Sequence, residues 1–139
     1  MTTIEEDYIS FETAKLLKEK GFDEATNRYY NAQYDQIRTV SDTFLWHWNN
    51  EEFMKRVLMD GAIAIPTLQM TMKWLREVHN IYYDVQLLLG DKAEKYGDLQ
   101  LGVYQLSISG AYKWECWLYA DTYEELYEKY IKYCLENLI

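Results

Sequence analysis

Residues 64–85 read AIPTLQMTMKWLREVHNIYYDV, and the fold turns on where this stretch changes its period. Pro66 and Thr67 supply a helix start, after which Leu68, Thr71, Met72, Leu75 and Val78 recur at spacings of three and four, one apolar stripe of a helix. Beyond His79 and Asn80 the period becomes two. Ile81, Tyr83, Val85, Leu87 and Leu89 point one way and Tyr82, Asp84 and Gln86 the other, the pattern of a half-buried strand. A helix therefore feeds directly into a strand. Downstream, residues 90–98 read as a turn-rich connection, LQLGVYQLSI (99–108) as a second strand, Ser109-Gly110 as a tight hairpin and YKWECWLY (112–119) as a third strand. Asp121 stands three residues before Glu124, as in a capping box, and opens a last helix that carries Tyr123, Leu126, Tyr127, Tyr130, Ile131, Cys134, Leu135 and Leu138 on one face. The expected fold class is α+β, with core order α-β-β-β-α, an antiparallel three-strand meander and helices on one side of the sheet.

Upstream of that unit, Ser10 precedes FETAKLLKEK, in which Phe11, Ala14 and Leu17 share a helix face. Gly21 sits where a left-handed cap closes a helix over Phe11–Lys20, and Phe22 can fold back on Leu17. Residues 27–48 are rich in Tyr, Thr, Val, Phe and Trp, which predicts two short strands, Arg28–Tyr34 and Thr43–Trp48, as an N-terminal hairpin. NNEEFMKRVLMDG (49–61) fits either a short helix capped by Asn49 or Asn50 and stopped by Gly61, or a mobile loop. About three helices are expected in all.

A chain of 139 residues fits a single domain able to bury a core without disulfides or a metal. No apolar run approaches the roughly 20 residues of a membrane helix. The start, MTTIEEDYIS, has neither a basic nor an apolar segment, so a cytoplasmic protein with no membrane partner is expected. The net charge of −9 argues against duplex nucleic acid, whose phosphates are held by clustered Lys and Arg. The acids are evenly spread, with 12 in residues 1–60 and 11 in residues 61–139. The same helix and strand order occurs in double-stranded RNA binding domains, but those start their last helix with basic residues, and here that turn reads DTYEELYE.

Little in the chain points to catalysis. His47 and His79 are the two histidines, and each needs a partner in hydrogen-bond reach to act as a base or ligand. On a strand His47 would face away from Trp46 and Trp48, while His79 ends a helix, where an imidazolium settles on the helix dipole. Glu5-Glu6, Glu51-Glu52 and Glu124-Glu125 are adjacent pairs that diverge on any regular element. Cys116 and Cys134 match no metal spacing and read as small buried hydrophobes. No nucleotide-binding loop, nucleophile elbow, HExxH or paired CxxC occurs. The chain is therefore expected to be no enzyme, with no catalytic residue, no metal and no cofactor.

Three blocks, YISFETAKLLKEKGFDE, PTLQMTMKWLREVHNIYYDV and TYEELYEKYIKYCLENLI, resemble the signature blocks of a family of small proteins encoded by phages and prophages of gut anaerobic bacteria. That family has no assigned reaction, cofactor or site residue. The resemblance implies a phage or mobile-element origin and a role in the cytosol of the infected host. It carries no residue assignment.

The remaining lead is the aromatic content of 14 Tyr and 5 Trp. Phe44, Trp46 and Trp48 would share one strand face, Tyr30 lies near them, and Trp117 and Tyr119 would oppose a core-facing Trp114, Cys116 and Leu118. Large rigid aromatic rings dominate the hot spots of protein interfaces and also stack on bases. Trp46, Trp48, Trp117, Tyr119 and Tyr30 are thus candidate partner-binding residues, with Arg28 and Arg38 as a clamp for an anion. The expected function is a binding protein acting on a host or phage protein, with interference in host defence as its version suited to the resemblance and a homo-oligomer as an open option. The alternatives are a sponge for a small nucleotide-like signal, held between stacked aromatics and an arginine, and an enzyme with an unrecognised site.

Overall fold

The computed structural model describes residues 7–41, 45–57, 59, 61–88, 103–110 and 116–139. Its element order is α1 (Phe11–Glu19), β1 (Arg28–Asn31), β2 (Gln36–Thr39), α2 (Glu51–Arg56), β3 (Ile63–Ala64), α3 (Leu68–His79), β4 (Ile81–Leu88), β5 (Val103–Gly110), β6 (Cys116–Ala120) and α4 (Tyr123–Asn137). The fold is α+β, with two antiparallel three-strand sheets ordered β2-β1-β3 and β4-β5-β6. Contacts divide the chain into two compact units, Met1–Met70 and Thr71–Ile139, the boundary falling inside α3.

In the first unit, Ser10 caps α1 by accepting the Thr13 N–H at 3.2 Å. At the other end Gly21 takes φ +93°, so that Phe22 N–H reaches the Leu17 carbonyl at 3.2 Å and Gly21 N–H that of Lys18 at 3.1 Å. These are the paired bonds of a Schellman closure, and Leu17 and Phe22 are both buried beside it. The strand from Arg28 stops at Asn31 rather than running to Tyr34. Asn31 Oδ1 accepts the Gln33 N–H at 3.0 Å and Asp35 adopts φ +48°, so a side-chain-stabilised turn folds the chain into β2. β1 pairs with β2 and, on its other edge, with β3. The second strand expected over Thr43–Trp48 is replaced by an isolated bridge of Trp46 with Thr26; Thr43 and Phe44 lie outside the described residues. Of the two readings of 49–61, the helix is the one that forms: Asn50 Oδ1 accepts the Phe53 N–H at 3.0 Å, and α2 ends at Arg56, before Gly61.

In the second unit the change of period at 79–81 is a change of structure. Asn80 adopts φ +56°, closing α3 through its N–H to the Arg76 carbonyl at 3.1 Å and turning the chain into β4. β4, β5 and β6 form the antiparallel meander. Ser109 and Gly110 are strand residues, paired with Tyr82 and Ile81, and not a hairpin. Continued pairing with β4 carries β5 through them. The turn expected at 90–98, Leu89, residues 99–102 of the second strand and residues 112–115 of the third, Trp114 among them, lie outside the described residues. Leu87, on the register face of Val85 and Tyr83, is nevertheless exposed, at the far end of an edge strand. The last helix is capped by Thr122, not Asp121: the Thr122 hydroxyl accepts the Glu125 N–H at 3.2 Å, and Thr122-x-x-Glu125 is itself a capping pattern.

Much of the tyrosine excess is structural. Tyr83 of β4 meets Tyr127 and Tyr130 of α4 at ring separations of 5.9 and 5.3 Å, and Tyr104 of β5 meets Tyr123 at 4.0 Å. Burial first, then the neighbouring Tyr83 and Tyr123, push the Tyr127 phenol up to about 12. With Leu126, Ile131, Cys134 and Leu135 buried behind them, these rings lay α4 on the sheet. Burying each such side chain stabilises the unit by about 1.5–3 kcal/mol before entropy is counted.

Candidate functional site

Residues 45–50, ahead of α2, are held by side chains and by the backbone bridge of Trp46 to Thr26 rather than by a strand. Asn49 uses both ends of its amide: Nδ2 donates to the Phe22 carbonyl at 2.7 Å and Oδ1 accepts the Ala64 N–H at 2.8 Å. Trp48 inserts into the unit, its indole N–H donating to the Thr26 carbonyl at 2.8 Å and its ring stacked on Tyr29 at 3.8 Å. With Trp48 anchored inside and Asn50 starting α2, Leu45 and His47 before them and Phe53 after them are left exposed. Leu45, Trp46, His47, Asn50 and Phe53 line an open depression of about 250 Å³. Leu45 and Phe53 are exposed, and the ring of half-buried Trp46 stands edge-on to that of Phe53 at 5.3 Å.

Among the described residues of this lining, His47 is the titratable one. Its Nδ1 lies 2.8 Å from the Asp23 backbone carbonyl and 3.4 Å from the Asp23 carboxylate. A carbonyl oxygen only accepts, so Nδ1 carries the proton and Nε2 is the free acceptor of the neutral ring. Because 45–48 is not a strand, His47 shares the depression with Trp46 instead of facing away from it. His79 differs from its expected role as a charged cap of α3. Its ring stands edge-on to Trp74 at 4.6 Å, Nε2 is buried with no hydrogen-bond partner among the described residues, and burial lowers its pKa. Desolvation there favours the neutral imidazole.

The other candidate residues are dispersed. Trp48 is 3% exposed, so its ring is core and not available to a partner. The Tyr30 hydroxyl donates to the Asp35 carboxylate at 2.7 Å, a bond that raises its pKa, with burial and the Asp35 charge adding to it. Arg28 lies across the Tyr8 ring at 3.7 Å and donates to Thr39 Oγ1 at 2.8 Å. Arg38 donates to the Gln36 amide. In the β1–β2 register Arg28 faces Thr39 while Arg38 faces Tyr29, so the two arginines leave opposite faces of the sheet and do not form the expected anion clamp. Tyr119 pairs with Gln105 and is half-buried, its carbonyl accepting Lys129 Nζ at 2.9 Å. Of Trp117 only the backbone, paired with Ser107, is described. Trp46 and Trp48, at 5.4 Å, are the two candidates shown in ring contact.

Leu45 and Phe53 were not singled out by sequence, and Asn49 was read only as an alternative helix cap. Phe53 carried a readable signal: adjacent apolar residues point about 100° apart on a helix, so a short helix that buries Met54 presents Phe53 elsewhere. Among the described residues no group of three or more His, Cys, Asp or Glu side chains is placed to hold a metal ion, and no helix is long and apolar enough to cross a membrane. The class defined is an α+β protein with an apolar, histidine-edged depression in its first unit. No family model matches the chain, and neither a curated protein nor a solved structure matches it.

Proposed function

We propose that the chain is a non-enzymatic binding protein and that the depression lined by Leu45, Trp46, His47, Asn50 and Phe53 is its contact surface. The observation that carries this reading is the grouping of exposed Leu45 and Phe53 with half-buried Trp46 around one concavity. Val57, four residues beyond Phe53, extends the apolar surface. Exposed aromatic and aliphatic groups around a small concavity are what an interface anchor needs. His47 brings a base to the lining, and among the described residues of that lining none carries a hydroxyl or thiol to serve as its nucleophile. A host or phage protein is the partner class, and interference with host defence is the version that follows from the phage resemblance. With Arg28 and Arg38 on opposite faces, the nucleotide sponge loses its clamp.

The test is capture from a lysate of the bacterium that carries the gene, using tagged protein beside a Leu45→Ala/Phe53→Ala variant. Both side chains are exposed, so the variant should keep the wild-type circular dichroism spectrum. One stoichiometric protein, lost with the variant, is the expected result. A partner retained equally by both proteins would place the contact surface elsewhere.

A further inference from the structure

We infer that the depression receives a tryptophan side chain of the partner, with the indole N–H donated to Nε2 of His47. This rests on the binding reading above and deepens it by naming the group that is bound. Three properties of the lining select that group. The first is size: an apolar cavity of about 150 Å³ holds a single benzene ring, so the space of about 250 Å³ here suits a two-ring system. The second is the walls. Leu45, Trp46 and Phe53 are apolar, and two of them are aromatic, offering faces and edges against which another ring packs favourably.

The third property is the polarity of the histidine. The Asp23 carbonyl accepts a hydrogen bond from Nδ1–H, so in its neutral form His47 meets a ligand with a lone pair at Nε2 and requires a donor. An indole has one N–H donor and no acceptor, which satisfies that atom and leaves no group of its own unpaired. A phenylalanine would fill the walls and leave Nε2 bare. A purine nucleotide matches in size, but no described lining residue is a lysine or arginine, and His47 has the Asp23 carboxylate 3.4 Å away, which repels phosphate. The partner's tryptophan is thus expected on a neutral or basic surface, in keeping with the net charge of −9.

The experiment titrates ¹⁵N-labelled protein with N-acetyltryptophanamide and follows the backbone amides of residues 45–53. Parallel titrations use the 1-methylindole analogue, N-acetylphenylalaninamide, adenosine and AMP. Saturable shifts confined to 45–53 are expected, weakened roughly three- to tenfold by indole N-methylation, the loss of one hydrogen bond. His47→Phe, at an exposed position, should abolish the difference between the indole and its methylated form. Equal binding of the two probes by the wild type, tighter binding of adenosine, AMP or the phenylalanine probe, or no shifts at 45–53 would overturn the assignment. If the probe fails while lysate capture still depends on Leu45 and Phe53, the indole falls and the binding surface stands; if capture fails too, both fall.

Discussion

The rings of Tyr29 and Trp48 lie nearly parallel, 10° apart, with their centroids separated by 3.8 Å. One partner comes from a strand and the other from an irregular segment, so this stack, with the Trp48 to Thr26 hydrogen bond, ties the segment that bears the depression to its sheet. Trp46, two residues earlier, bridges Thr26 through its backbone and keeps its ring half at the surface. The pair therefore divides the labour between core and surface.

Trp48→Ala should cost about 3–5 kcal/mol, since it removes a buried aromatic ring and one of the two N–H groups, with that of Trp46, that donate to the Thr26 carbonyl. Trp46→Ala should cost markedly less, because its ring is already partly hydrated. Urea unfolding followed by circular dichroism measures both. Equal losses would mean that the two rings are buried alike.

Asn49 makes the second prediction. Its amide serves a carbonyl that follows α1 and an N–H of β3 at once. Asn49→Ala leaves both partners without that bond and should destabilise the first unit by about 1–3 kcal/mol. Asn49→Asp keeps the acceptor for Ala64 but sets a carboxylate against the Phe22 carbonyl, so it should rescue little. Full rescue by Asp would show that the Ala64 bond alone matters.

How legible this was in the chain depends on the range of the interactions. Gly21 with Phe22, the period change at Asn80 and the stripe of α4 are local patterns, and each appears where the residues place it. Asn31 and Thr122 carried local signals too, an Asx turn and a capping box, that were outweighed by β-propensity and by the neighbouring Asp121. The depression was half legible. Trp46 was visible as an aromatic, but the inward course of Trp48 depends on Thr26 and Tyr29, some twenty residues away, and no period encodes it. The arginine clamp failed for a similar reason: the turn at 32–35 sets the register, and the register alone puts Arg28 and Arg38 on opposite faces.

Tyr130 offers a test of a buried polar group. It is fully buried, its hydroxyl has no nitrogen or oxygen hydrogen-bond partner among the described residues, and the weakly hydrogen-bonding Cys134 thiol lies one turn on. Burial first, then Cys134, hold the phenol far above its ordinary range. Tyr130→Phe keeps the ring and removes the poorly satisfied hydroxyl, so it should be neutral or raise stability by up to ~1 kcal/mol. Tyr130→Ala should cost about 3–5 kcal/mol through the cavity it opens. A loss above 1 kcal/mol for the Phe variant, on thermal or urea unfolding, would show that the hydroxyl is well bonded.

The last prediction concerns pH and separates two opposite roles for His79. A histidine stabilised as an imidazolium by a helix C-terminus has a raised pKa, and its contribution is lost as pH rises. His79 has the reverse shift, lowered by burial from 6.5, with Nε2 inside and Trp74 against the ring. As pH falls through about 6.5 the unfolded chain takes the proton before the folded one does, so stability is full above that value and declines below it, toward the lower folded-state pKa. His79→Phe removes the titrating group while keeping a ring beside Trp74. The wild type should therefore lose more stability than the variant between about pH 7.5 and about pH 5.5, measured as the difference in urea midpoints. The opposite sign, with the wild type gaining on the variant as pH falls, would restore the charged helix cap.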